Sequence, residues 1–109
     1  MSASPNPNIL HHRHNSLVWR RRLAPGESTP WHRDPYHHVT VVLSGDQMTI
    51  EFRDGGEPIP WKIAVGEVDW VEPSDRVHRA VNVGKEVFEE VVTFFLDRHD
   101  AEPQPADEP

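Results

Sequence analysis

Residues 26–45 read GESTPWHRDPYHHVTVVLSG, and both the fold and the chemistry turn on this stretch. Its second half alternates. From His38 the even positions Thr40, Val42 and Ser44 share one face, while Val39, Val41 and Leu43 share the other, because successive side chains of a strand point to opposite sides. Both faces are partly apolar, so each needs a covering layer. The first half places His32, Asp34, His37 and His38 within seven positions. Imidazole and carboxylate are the side chains that divalent metals accept most readily. His32 and Asp34 are two residues apart and project from the same face of a strand, whereas His37 points away from His38 and reads as solvated.

Outward from this stretch, the chain consists of short alternating runs broken by Gly, Pro and Asp. Strands are predicted near 16–24, 30–34, 37–44, 47–53, 60–64, 68–72, 77–82 and 87–96, with turns at APGES, SGD, RDGGEP, AVGE, EPSD and NVGKE. No helical apolar period of useful length intervenes. Many short, evenly spaced strands indicate an all-β sandwich or barrel. In the strand near 47–53, Met48, Ile50 and Phe52 line one face. In VHRAVN, His78, Ala80 and Asn82 oppose Val77, Arg79 and Val81. Leu17, Trp19 and Leu23 form the core side of the first strand, and Arg21 falls on that same face.

A chain of 109 residues allows one domain with one modest core. The termini are Pro-rich, polar and nearly free of large apolar groups, so they do not repay the entropy of ordering. The expected organisation is a flexible N-terminal arm over 1–15, a barrel over 16–96 and a flexible acidic tail over 97–109. HHRH at 11–14 and His99 then read as solvated polar residues. There is no cysteine, which excludes disulfides, thiolate metal sites and a Cys nucleophile. The formal charge of −7 argues against a nucleic-acid partner. Arg20, Arg21 and Arg22 do not form a basic patch, because a strand splits them between its faces. No apolar run reaches membrane-spanning length and no signal-peptide pattern opens the chain. A soluble, cytoplasmic protein is the expectation.

Two blocks carry the chemistry. The first comprises Gly26, His32, Asp34, His38 and Gly45; the second comprises Gly66, Pro73, Asp75, His78 and Asn82. Together they resemble the two conserved motifs of the cupin superfamily, and RLAPGESTPWHR is most similar to small single-domain cupins. The resemblance covers about residues 17–96, and the spacing of the first block matches without a gap. It implies a single small jelly-roll β-barrel, often dimeric, with a metal in its mouth. The family pattern takes two histidines and a glutamate from the first block and a third histidine from the second. His32 and His78 keep their identities; Asp34 stands at the place of the second histidine and His38 at that of the glutamate. The second block is one residue longer than usual between Gly66 and His78, and Asp75 replaces a glycine. Three histidines and one carboxylate are nevertheless preserved, so His32, Asp34, His38 and His78 are the candidate ligands. His38 is expected on the strand next to His32, and His78 from across the barrel. The ion would be divalent: Fe(II) or Zn(II) suits this set best, with Mn(II) and Ni(II) also compatible.

Arg21 is the candidate for holding a substrate carboxylate, with pairing to an internal acid such as Glu90 as the alternative. Thr40, Met48, Phe52 and Asn82 are the other candidate substrate contacts, and Trp31, Trp61 and Trp70 are candidates for an aromatic wall. The resemblance implies a metal-dependent enzyme, oxygenase- or isomerase/lyase-like, acting on a small polar or carboxylate-bearing metabolite. The alternative is a non-catalytic small-ligand-binding or sensor cupin without metal. No residue is assigned as a catalytic acid or nucleophile. A homodimer is expected, because the face of Val39, Val41 and Leu43 needs cover that one small barrel does not supply.

Overall fold

The computed structural model of the chain describes residues 8–96. Among these, nine strands follow one another: β1 (Asn8–Arg13), β2 (Ser16–Leu23), β3 (His32–Asp34), β4 (His37–Ser44), β5 (Gln47–Phe52), β6 (Ile59–Lys62), β7 (Val68–Val71), β8 (Ser74–Asn82) and β9 (Phe88–Phe95). The described residues contain no helix, and so none long and apolar enough to cross a membrane. The strands form a five-stranded sheet, β1-β2-β9-β4-β7, and a four-stranded sheet, β3-β8-β5-β6. Apart from β1–β2 and β5–β6, every connection passes from one sheet to the other. This is a jelly-roll arrangement, and it turns one face of the strands other than β1 inward.

Each of the eight strands expected from the alternation is present. The first is an addition. Residues 8–13, expected within a flexible arm, pair with β2 through backbone hydrogen bonds, with an irregularity between Ile9 and His11. All six side chains of β1 are exposed. The strand is held by its ladder rather than by burial, so no apolar alternation announces it. Residues 1–7 and the tail 97–109, with His99, lie outside the described residues.

The registers stack the inward side chains in layers along the barrel axis. Leu23 lies opposite Phe88 in β9, and Met48 lies opposite Asn82 in β8. With Val42 and Ile63 they close one end, and Leu23, Val42, Met48 and Phe88 are all 0 % exposed. The turn from β4 to β5 needs Gly45, whose φ is 131° and whose added Cβ would lie 3.1 Å from Phe88 Cδ1. One layer further along, Arg21 faces Glu90 and Ile50 faces Ala80. Beyond these come Trp19, Val92 and Phe94, which pack with Leu17 and Tyr36 as a second cluster. His78 lies opposite Phe52 on one side and His32 on the other.

Candidate metal centre

Strand β3 is only three residues long, with a buried, half-buried, buried pattern that turns His32 and Asp34 inward and Arg33 outward. Strand β8 lies directly beside it, and His78 is the register partner of His32, with ring centroids 4.5 Å apart. Between His32 and Asp34 the pairing jumps, because Asp34 lies opposite Ser74 rather than two residues from His78. Across this irregularity His78 stays directly beside His32.

Asp34 sits between the two histidines. Its Oδ2 lies 2.9 Å from His78 Nε2 and its Oδ1 lies 3.6 Å from His32 Nε2. Ligand atoms of His32, Asp34 and His78 all fall within 4.8 Å of one another. On the far side of each ring, Nδ1 meets a backbone carbonyl, at 2.7 Å from Pro30 O for His32 and 2.8 Å from Arg76 O for His78. A carbonyl oxygen only accepts, so each Nδ1 carries the proton and donates it. That leaves Nε2 turned toward the carboxylate. A bare lone pair facing a carboxylate oxygen is repulsive, so a positive charge must stand between them, either a proton on Nε2 or a metal ion.

The electrostatics follow from this geometry. Burial works against ionisation of Asp34, but the hydrogen bonds of His32 and His78 overcome it and hold the carboxyl well below the usual range. For His78, burial again opposes the charge, but the hydrogen bond and the negative charge of Asp34, with the Arg76 carbonyl, together outweigh it and raise the imidazole above its ordinary value. His38 moves the other way: burial lowers it, more than the Asp34 charge restores.

His38 and His78 exchange the positions expected for them. His78 comes from the adjacent strand of the same sheet, whereas His38 is on β4 in the opposite sheet. The two-residue link Pro35–Tyr36 carries the chain across the sandwich, so closeness in sequence places His38 on the far wall. His38 is buried, with Nδ1 3.4 Å from Tyr36 O and its ring 4.9 Å from that of Phe94. It stands outside the group of three while bordering the same cavity.

That cavity has a volume of about 380 Å³, within the range of small-molecule sites. His32, Asp34 and His78 lie on one wall, with Arg21, Thr40 and Glu90 on the other. Arg21 therefore points inward, and Glu90 is its register partner. Burial depresses the guanidinium, opposed by the charges of Glu90 and Asp34. Burial also pushes the Glu90 carboxyl up to about 7, against the pull of Arg21.

Of the other expected substrate contacts, Thr40 borders the cavity and Met48, Asn82 and Phe52 do not. Met48 is in the closed-end core. The amide of Asn82 donates 2.9 Å hydrogen bonds to Leu23 O and Glu86 O, and its Oδ1 accepts from Gly84 N, so it is a brace. Phe52 lies under the guanidinium of Arg76, 3.6 Å from its ring centroid. Among the tryptophans, Trp61 and Trp19 line the cavity, while Trp31 stacks under Arg79 and Trp70 is exposed. Asp69 was not anticipated. Its position in Val68-Asp69-Trp70-Val71, opposite Thr40, turns it inward with Val71, and an acid on an inward strand position is the signal that marks it.

A family model for the cupin domain matches residues 19–94. No curated protein matches the chain. Among solved structures, a cupin domain from Bordetella pertussis Tohama I is similar at 21% identity, with a TM-score of 0.72 over 83% of this chain and 91% of that one. An RmlC-like cupin from Methanocaldococcus jannaschii, with a double-stranded β-helix fold, superposes at a TM-score of 0.66 and 21% identity, over 83% of this chain and 78% of that one. A predicted oxalate decarboxylase from Thermotoga maritima matches at 23% identity and a TM-score of 0.56, over 75% of this chain and 68% of that one.

Proposed function

Since the chain belongs to the cupin family, we propose that it is a cytoplasmic, metal-dependent enzyme acting on a small polar or carboxylate-bearing metabolite. His32, Asp34 and His78 hold one divalent ion, and the cavity beside them takes the substrate. The observation that carries this reading is the pair of Nε2 atoms facing Asp34, each ring fixed from behind by a carbonyl. Backbone acceptors of this kind orient metal-bound histidines and fix their tautomer. Two histidines and one carboxylate suit Fe(II) with open positions; Zn(II) fits the same donors, and Mn(II) or Ni(II) follows. The bound ion would supply a Lewis acid or an oxygen-binding centre, in keeping with oxygenase- or isomerase/lyase-like chemistry. The likeness to a predicted oxalate decarboxylase is consistent with a carboxylate substrate.

Metal-free protein titrated with Zn(II) or Fe(II) at neutral pH should take up one ion per chain. Asp34→Ala should weaken binding by roughly 100-fold or more, since losing even an outer partner of a ligand costs about 10–100-fold. Protein that binds no divalent ion would leave the His78–Asp34 pair satisfied by a proton alone, and the non-catalytic ligand-binding reading would replace this one.

The active species in this reading is a homodimer. The outer face of the five-stranded sheet exposes Leu43, Val68 and Trp70, by 42%, 64% and 57%. The Trp70 ring stacks on Phe95 at 5.8 Å, which joins β7 to β9 in one apolar surface. A second copy of the sheet would cover it. Light scattering should give twice the chain mass, and Val41→Glu should reduce it; a monomer at micromolar concentration overturns the dimer.

A further inference from the structure

The wall facing the metal centre has polar chemistry of its own. Trp19 and Arg21 are two residues apart on β2 and share its inward face, with the Arg21 guanidinium carbon 5.4 Å from the Trp19 ring centroid. Trp19 is only 3 % exposed, and its Nε1–H is buried without an acceptor among the described residues. A buried donor of this kind calls for an acceptor, and Trp19 is among the residues that line the cavity. The guanidinium next to it supplies the positive charge that an anionic acceptor needs.

Charge balance decides what else must happen. Glu90 faces Arg21 across the β2–β9 ladder, and the Thr40 hydroxyl donates to its carboxylate. The groups around Glu90 are Arg21 from β2, His32 and Asp34 from β3, His38 and Thr40 from β4, Asp69 from β7 and His78 from β8; the β5 and β6 wall contributes uncharged Ile50, Ile59 and Trp61. Arg21 already answers two carboxylates, Glu90 and Asp34. Of these two, Asp34 is held by its histidines and any ion they bind, whereas Glu90 has no such partner. A third carboxylate beside Arg21 is therefore accommodated by a proton on Glu90.

We propose that Trp19 and Arg21 form an anion subsite for the carboxylate of a small organic acid, and that filling it places a proton from solvent on Glu90. The subsite names the anchoring group of the substrate, and it rests on the reading of the cavity as a substrate site. The upward shift of Glu90 to about 7 makes that proton easy to acquire near neutrality.

Propionate serves as the probe, because it carries one carboxylate and chelates metals weakly. Titration of the native protein, followed by calorimetry so that every variant is read in the same way, should show affinity falling about tenfold per pH unit above about pH 7 and levelling off below it. Glu90→Gln should bind with little pH dependence, Arg21→Met should lose binding, and Trp19→Phe, which keeps the ring and removes the N–H, should weaken it about tenfold. A pH slope that survives in Glu90→Gln, or is missing from the native protein, overturns the proton coupling and leaves the carboxylate reading intact. Equal affinity in native protein and Arg21→Met overturns the subsite. Absence of propionate binding at every pH overturns the subsite together with the carboxylate-bearing substrate, while the divalent-ion titration stands apart from both.

Discussion

The two ends of the barrel are built from the same strands and obey opposite rules. At the closed end, Leu23, Val42, Met48 and Phe88 exclude solvent completely, and Asn82, the polar side chain among them, has both ends of its amide bonded to backbone. One layer along, β2 presents Arg21, β9 presents Glu90 and β8 leads through Ala80 to His78, so the interior becomes charged and hollow. The apolar layer gains stability from dispersion and exclusion of water. The charged layer is costly to bury and is tolerated because its members answer one another. Strands β2, β4, β5, β8 and β9 each contribute to both ends. The division runs across the strands, by depth.

The strongest way to break this division is at the closed end. Phe88→Ala should cost about 3–5 kcal/mol, the usual range for emptying a buried aromatic site. Denaturant unfolding would measure it, and divalent-ion stoichiometry should be unchanged where the variant is folded. Loss of metal binding in folded Phe88→Ala would show that the two layers are coupled. Next comes Asn82→Ala, which leaves Leu23 O, Glu86 O and Gly84 N without their partner and should cost about 1–3 kcal/mol. Propionate affinity should stay the same in this variant; a loss there would return Asn82 to the substrate site.

Smaller at any single pH, but sharper, is the dependence set by Glu90. Its folded pKa, about 7, lies above its unfolded value, so the folded state holds more protons between the ordinary carboxylate range and neutrality. Stability is therefore fully present below that range and falls as pH rises toward about 7. The slope is at most about 1.4 kcal/mol per pH unit. His78, also raised, acts in the same direction at higher pH, whereas His38, lowered, acts in the opposite direction below its ordinary value. Asp34, lowered, is ionised in both states across the window and adds no slope. Subtracting the Glu90→Gln profile isolates the Glu90 part, and identical profiles would place the Glu90 charge in water. Smallest of all should be the effect of His38→Ala on divalent-ion affinity, less than that of Asp34→Ala, because His38 stands on the opposite wall.

Alternation of side chains made the inward faces legible from sequence, and it did so well: Met48, Ile50 and Phe52 share a face, as do His78, Ala80 and Asn82. Depth along the axis was not legible. A period of two says that Met48 and Asn82 point inward and is silent on whether they meet the plug or the cavity; only pairing registers between distant strands decide that. The ligand triad shows the same limit. His32, Asp34 and His78 were readable as donors, yet which histidine is the neighbour and which the one opposite depends on strand order, a property of the whole sheet. Strand β1 escaped notice for a different reason, since a ladder at an edge leaves no mark on hydropathy.

The Pro35–Tyr36 link has one more consequence. With two residues between the end of β3 and the start of β4, and Tyr36 anchored in a core cluster, the link acts like the fixed bridge of a caliper whose jaws are the two walls. Chain length here limits how far the start of β4 can stand from the end of β3, whatever side chains the two carry. Lengthening the bridge by a glycine would widen the gap between Asp34 and His38 without altering a donor, so the size of molecule admitted is a matter of spacing that can be tuned apart from the chemistry.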